Sequence, residues 1–183
     1  MRSKSYAIQD VLKAEDIRTL RKNLEMTQKQ FADFVGVSNK TIERWEKGED
    51  EIGGPITVLY RVLMEMPDLP ERLRIPEKTA PLRLYYMYRR EVCTIIDVNE
   101  RKRTVAIKNF TKRAQFRAFG VNTEPSYEDY EEFMESRCFP RSRDKMKLLL
   151  KELGLPFYDP LLIIEKTEGR MEEDEFWIRI ERM

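Results

Sequence analysis

Residues 26–48 read MTQKQFADFVGVSNKTIERWEKG, and they decide the fold of the N-terminal part. Thr27 is a good helix N-cap, and Gln30, three residues on, completes a capping box. The helix they open buries Phe31, Ala32 and Val35. Gly36 ends it, where a left-handed backbone is needed. Ser38 caps the next helix, Asn39–Lys47, and Gly48 stops it. Ile42 and Trp45 lie three apart, and Trp45 reads as a core anchor.

Working outward, Ile17, Leu20, Arg21 and Leu24 repeat at helical spacing before this stretch. After it, a helix runs from about Pro55 to Met66, with proline in its first turn. Residues 1–13 form a polar lead-in with room for one short helical turn. Two prolines in 76–81 make a semi-stiff linker. Beyond it, Leu82–Tyr88 and Glu91–Val98 alternate as strands joined by a tight turn at Arg89-Arg90, and Thr104–Phe110 makes a third. Ser126 caps a helix carrying Tyr127, Tyr130, Phe133 and Met134 on one face. Ser142 is expected to cap another, with Met146, Leu149, Leu150 and Leu153 inward and Gly154 as its stop. Asp159-Pro160 opens a third helix, Leu161–Glu168. Phe176–Ile180 reads as a returning strand. The expected fold class is therefore α+β in two domains. The first, 14–75, is an all-α bundle of four to five helices. The second, 82–183, is an α+β domain with a small antiparallel sheet and three helices, expected to serve dimerisation, sensing or partner binding.

Composition narrows the function. The chain of 183 residues carries no histidine, which removes the commonest general base and metal ligand. Carboxylate pairs such as Glu131/Glu132 and the run Glu172–Glu175 sit in charge runs, which usually face solvent. With no nucleophile motif either, no catalytic residue, cofactor or metal is expected. Cys93 and Cys138 form no CxxC motif, and two reduced thiols are the expected state. The N-terminus is charged throughout, so no signal peptide is expected. No apolar run approaches the roughly 18 residues of a membrane span. The expected location is the cytoplasm. The net charge of +1 does not by itself point to nucleic acid.

Two short helices joined at Gly36-Val37-Ser38 have the geometry of a helix-turn-helix. The stretch also resembles the Cro/repressor (Xre-type) family. Thr27-Gln28, Phe31-Ala32, Gly36-Val37-Ser38, Thr41-Ile42 and Trp45-Glu46-x-Gly48 fall in that family's register, and the likeness extends over 14–66. The resemblance implies that the chain binds a double-stranded DNA operator, as a homodimer. Gln28 would touch phosphate and brace the recognition helix, which Ser38 opens. Asn39, Lys40 and Arg44 would read bases: asparagine pairs with adenine, lysine and arginine with guanine. Thr41 and Lys47 would contact phosphate. An ordinary solvated helix face is the competing reading of Asn39, Lys40 and Arg44.

One feature departs from the family. Glu49-Asp50-Glu51 follows the third helix, where repressors often carry basic residues. Residues 1–53 hold ten Lys and Arg against ten Asp and Glu. Few phosphate contacts are therefore expected, and dimerisation is needed for useful affinity.

The segment GGPITVLYRVLMEMPDL (53–69) resembles the fourth helix of antitoxin-type relatives, the HigA and MqsA kind, although the zinc-binding cysteines of the latter are absent. Leu59, Val62, Leu63 and Met66 share a face that packs on the core or on a twin subunit. Residues 82–180, with Leu153-Gly154 and Asp159-Pro160, resemble the N-terminal subdomain of HipA-type kinases. That likeness implies a protein partner, a separately encoded kinase-like toxin, held by the C-terminal domain. Seven basic residues and no acid lie between 101 and 117. They read either as a second phosphate or acidic-partner face, or as a lysine-protected edge strand.

Overall fold

A computed structural model describes residues 6–48 and 50–182. Among them are eight helices and two antiparallel sheets. Contacts group the chain into two compact units, Met1–Ile75 and Pro76–Met183.

In the first unit, α1 (Ala14–Asn23), α2 (Gln28–Val35) and α3 (Asn39–Lys47) are followed by α4 (Pro55–Glu65) and the short α5 (Leu69–Leu73). Local signals set these boundaries. The Thr27 hydroxyl accepts from the Gln30 N–H, and the Gln30 side chain accepts from the Thr27 N–H at 2.8 Å. Gly36 sits at φ 75°, where a side chain would be strained. The core holds Leu12, Ile17, Leu20, Phe31, Ile42 and Leu63, all at most 1% exposed. Trp45 packs at its edge, half-buried. On α4, Leu63 is buried and Leu59 lies against the core, whereas Met66 is 40% exposed.

The described part of the lead-in, residues 6–13, holds no helical turn. Instead β1 (Val11–Leu12) pairs antiparallel with β2 (Ile52–Gly53). The reason is Leu12, which is fully buried; extended pairing delivers its side chain to the core and satisfies its backbone. Residues 1–5 and Glu49 lie outside the described residues.

In the second unit, β3 (Leu82–Tyr88), β4 (Glu91–Asn99), β5 (Thr104–Asn109) and β6 (Phe176–Arg182) form one antiparallel sheet in the order β5-β4-β3-β6. One face, with Leu82, Leu84, Ile96, Val98 and Ile178, packs on α6 (Tyr127–Ser136) and α8 (Pro160–Thr167) through Tyr130, Phe133, Met134, Ile163 and Ile164. The other face is covered over β3 as well: Tyr85, Met87 and Ile95 are buried in a small cluster with Trp177 and Phe110. A bulge at Cys93 shifts the β3–β4 register between Tyr86 and Met87. It lets Cys93 join the helix-side core while Val92 joins the opposite cluster. Both cysteines are buried and form no disulfide. Burial pushes the Cys138 thiol up to about 12.

One sequence expectation fails here. Ser142 does not cap the next helix. Residues 141–145 form turns, Lys145 takes a left-handed backbone at φ 61°, and α7 starts at Met146 (Met146–Glu152). The turn closed by Arg143 N–H on the Pro140 carbonyl diverts the chain before the serine could act. On α7 only Leu150 is buried, and Met146, Leu149 and Leu153 are half-buried.

Arg83 fastens the segment before the sheet. It is 2% exposed and donates to Asp97 twice, at 2.6 Å each, and to the carbonyls of Pro76 and Glu77 at 2.7 and 3.0 Å. The hydrogen bond to Asp97 above all outweighs burial and raises the guanidinium's pKa further. Replacing Asp97 with Asn leaves that charge buried against a neutral amide. The expected cost is about 3 kcal/mol, read as a lower urea midpoint at unchanged slope. A loss below about 1 kcal/mol would show that the pair does not hold the sheet.

Candidate nucleic-acid interface

The site is built on α3, and α3 is oriented by a buried carboxylate. Glu46 is 5% exposed, a cost tolerated only when such a charge is paired and hydrogen-bonded. It is both. Arg21 of α1 grips it through Nε at 2.6 Å and Nη2 at 3.1 Å. Gln28, at the start of α2, donates its Nε2 at 2.8 Å. Arg21 also donates to the Met26 carbonyl between α1 and α2 at 2.8 Å, and Arg18 donates to the Glu46 carbonyl. Burial pushes the Glu46 carboxyl up. The hydrogen bonds from Arg21 and Gln28, with the charges of Arg21 and Arg18, outweigh it and hold the group below its ordinary value.

With Ile42 and Glu46 turned inward, the opposite side of α3 faces out. Asn39, Lys40, Arg44 and Lys47 are exposed, and Thr41 is half-buried. Lys40, Arg44 and Lys47 follow helical spacing along one stripe and form no ion pair among the described residues. Asn39 donates to Glu43 Oε1 at 2.6 Å, so it must release that carboxylate before pairing with a base. Ser38 accepts from the Thr41 N–H at 3.1 Å, and the two hydroxyls meet at 2.9 Å. The cap therefore occupies both hydroxyls. Gln28 is half-buried with its amide nitrogen on Glu46; it braces α3. Asp50 and Glu51 are exposed just beyond.

Residues 17–56 match a family model described as helix-turn-helix. This segment is a helix-turn-helix of the Cro/repressor (Xre) type. A segment of 60 residues is also 40% identical to the type II methyltransferase M.SsoII of Shigella sonnei, covering 31% of this chain. The chain spans 15% of the length of that relative. No solved structure matches the chain.

Sequence reasoning placed the outward residues of the helix-turn-helix but missed Glu46 as its centre. The available signal was Arg21, a cation inside the inward stripe of α1, which calls for a buried carboxylate. The basic run 101–117 is largely used within its own unit. Arg103 binds Glu128 and Glu131, Arg117 binds the Thr111 carbonyl, and Arg113 lies over Phe116. Among the described residues, no metal-holding cluster occurs. Nor is any helix there long and apolar enough to cross a membrane.

Glu46→Gln is expected to destabilise the domain by about 3 kcal/mol at pH 7. The pH dependence has a definite sign. A carboxyl held below its ordinary 4.5 stabilises the fold above that value, and the contribution disappears as pH falls through the lower folded value. Urea melts of native protein should therefore weaken as pH falls below about 4.5. In Glu46→Gln that component should be missing. An acid limb identical in both proteins would rule out the role given to Glu46.

Proposed function

We propose that this protein is a sequence-specific regulator that binds its operator as a twofold dimer and represses its own operon. The setting proposed is a toxin–antitoxin or mobile-element one, in the cytoplasm and without catalysis. The observation that carries the reading is the unpaired, exposed stripe Lys40, Arg44 and Lys47 on a helix whose other side is locked by Glu46. The amino end of α3 would enter the major groove, with Asn39, Lys40 and Arg44 at base edges and Gln28, Ser38, Thr41 and Lys47 near phosphate. In a dimer the two recognition helices would stand about 34 Å apart, one turn of DNA. The exposed residues Val58 on α4 and Met66 at its C-cap suit a twin subunit. The absence of histidine supports the non-catalytic reading. So does the small fraction of the methyltransferase that is matched.

The balanced charge of residues 1–53 favours a second reading: an antitoxin-type protein that restrains a kinase-like toxin and binds DNA weakly or not at all. Alanine at Asn39, Lys40 and Arg44 separates the two. Fluorescence anisotropy on the protein's own promoter should show each single substitution costing about 1–3 kcal/mol. Repression that survives the triple variant unchanged would decide for the second reading.

The salt dependence is also constrained. With few phosphate contacts, log K against log salt should fall with a slope no steeper than about −6. A steeper slope would mean that phosphate contacts outside this helix-turn-helix dominate binding.

A further inference from the structure

We infer that a groove on the second unit, walled by Glu100, Tyr127, Tyr130, Glu132 and Asp159, binds a ligand carrying a guanidinium group. The inference does not depend on DNA binding, because every residue in it belongs to the 76–183 unit.

The groove measures about 580 Å³, the scale of a small-ligand site. Glu100 comes from the β4–β5 turn, the tyrosines and Glu132 from α6, and Asp159 from the N-cap of α8. Tyr130 is 4% exposed, and its hydroxyl bonds to no described residue. Buried tyrosine hydroxyls usually find a partner. No buried side-chain oxygen or nitrogen among the described residues is both sealed from solvent and unpaired. The Tyr130 hydroxyl therefore opens on the groove it lines. Burial and the charges of Glu100 and Asp159 keep this phenol protonated, a neutral group that can accept from a cation.

The rims show which cation fits. Arg103 lies over the Tyr127 ring at 4.2 Å and donates to Glu128 and Glu131 at 2.8 and 3.3 Å. Arg141 lies over Tyr158 at 4.7 Å and donates to Glu135 at 2.6 Å. Each rim is a guanidinium on an aromatic ring beside a carboxylate, a pairing that charge and planarity both favour. The lining repeats the composition with Tyr130, Glu100 and Glu132, and these carboxylates form no ion pair among the described residues. An anion would be repelled there, and a cation attracted. The guanidinium can belong to a free small molecule or to an arginine of a partner protein.

Titration calorimetry on the full chain tests this with two probes, agmatine and the blocked peptide acetyl-Gly-Arg-Gly-amide. The variants are Tyr130→Phe, which keeps the ring, and Glu100→Gln, at an exposed turn; unchanged melting curves confirm their folding. At least one probe should bind saturably at one site. Each variant should weaken that binding by roughly fivefold or more, the scale of one lost hydrogen bond. Comparable affinity for both probes identifies a free ligand. A peptide about tenfold tighter identifies a partner's arginine. No saturable binding of either probe at low salt, or binding that both variants leave unchanged, overturns the inference.

Discussion

A buried charge must be fully satisfied or the fold fails, and in the first unit that charge is the carboxylate of Glu46. Its partners come from α1 and α2, so one side chain of α3 fixes three helices at once. The consequence reaches the outer surface. A helix cannot rotate about its axis while one residue is clamped by two others, so the side opposite Glu46 has a defined direction. Of the residues proposed to face DNA, Lys40, Arg44 and Lys47 lie on that side. Apolar packing from Ile42 alone is less directional, since hydrophobic contact tolerates rotation of a few tens of degrees. The ion pair supplies the angular precision that the proposed base readout would need.

What could be read from the sequence follows the range of the forces involved. The α2 and α3 boundaries were legible because each rests on residues three or fewer apart: Thr27 with Gln30, Gly36 at its own φ, Ser38 with Thr41. The β1–β2 pair was not, because two residues carry no periodicity and their partners lie some forty positions away. Glu46 escaped for the same reason. As a charged residue it reads as solvated, and only the position of Arg21 in three dimensions makes it interior. Ser142 failed in the opposite way. Its local signal was real, but the Pro140–Arg143 turn in which it sits took the chain out of helical register.

The second unit repeats this division. The alternation within β3, β4 and β5 was visible. Alternation does not say that β3 will be buried on both faces, nor that β3 is the strand the returning β6 will pair with. Arg83 sits at an outward position of that alternation, yet it is almost fully buried under the Pro76–Glu77 segment. The carboxylates of α6 looked like a solvated face. Its glutamates are exposed, and with the β4–β5 turn and the start of α8 they also line a groove.

Charge accounting links the two halves of the functional reading. Glu46 is neutralised by Arg21, so neither contributes to the field that DNA would meet. What remains near α3 is Lys40, Arg44 and Lys47 set against Glu43, Asp50 and Glu51. Such a surface cannot hold DNA by attraction alone, because non-specific affinity scales with the phosphates neutralised. Whatever affinity the proposed operator complex has must then come from shape, base-edge hydrogen bonds and the coupling of two half-sites. Coupling multiplies weak contacts only when both domains are held at the right spacing. In the proposed regulator, occupancy is therefore set by whatever holds two copies together. A ligand or partner acting on the second unit could control it without touching the recognition helix.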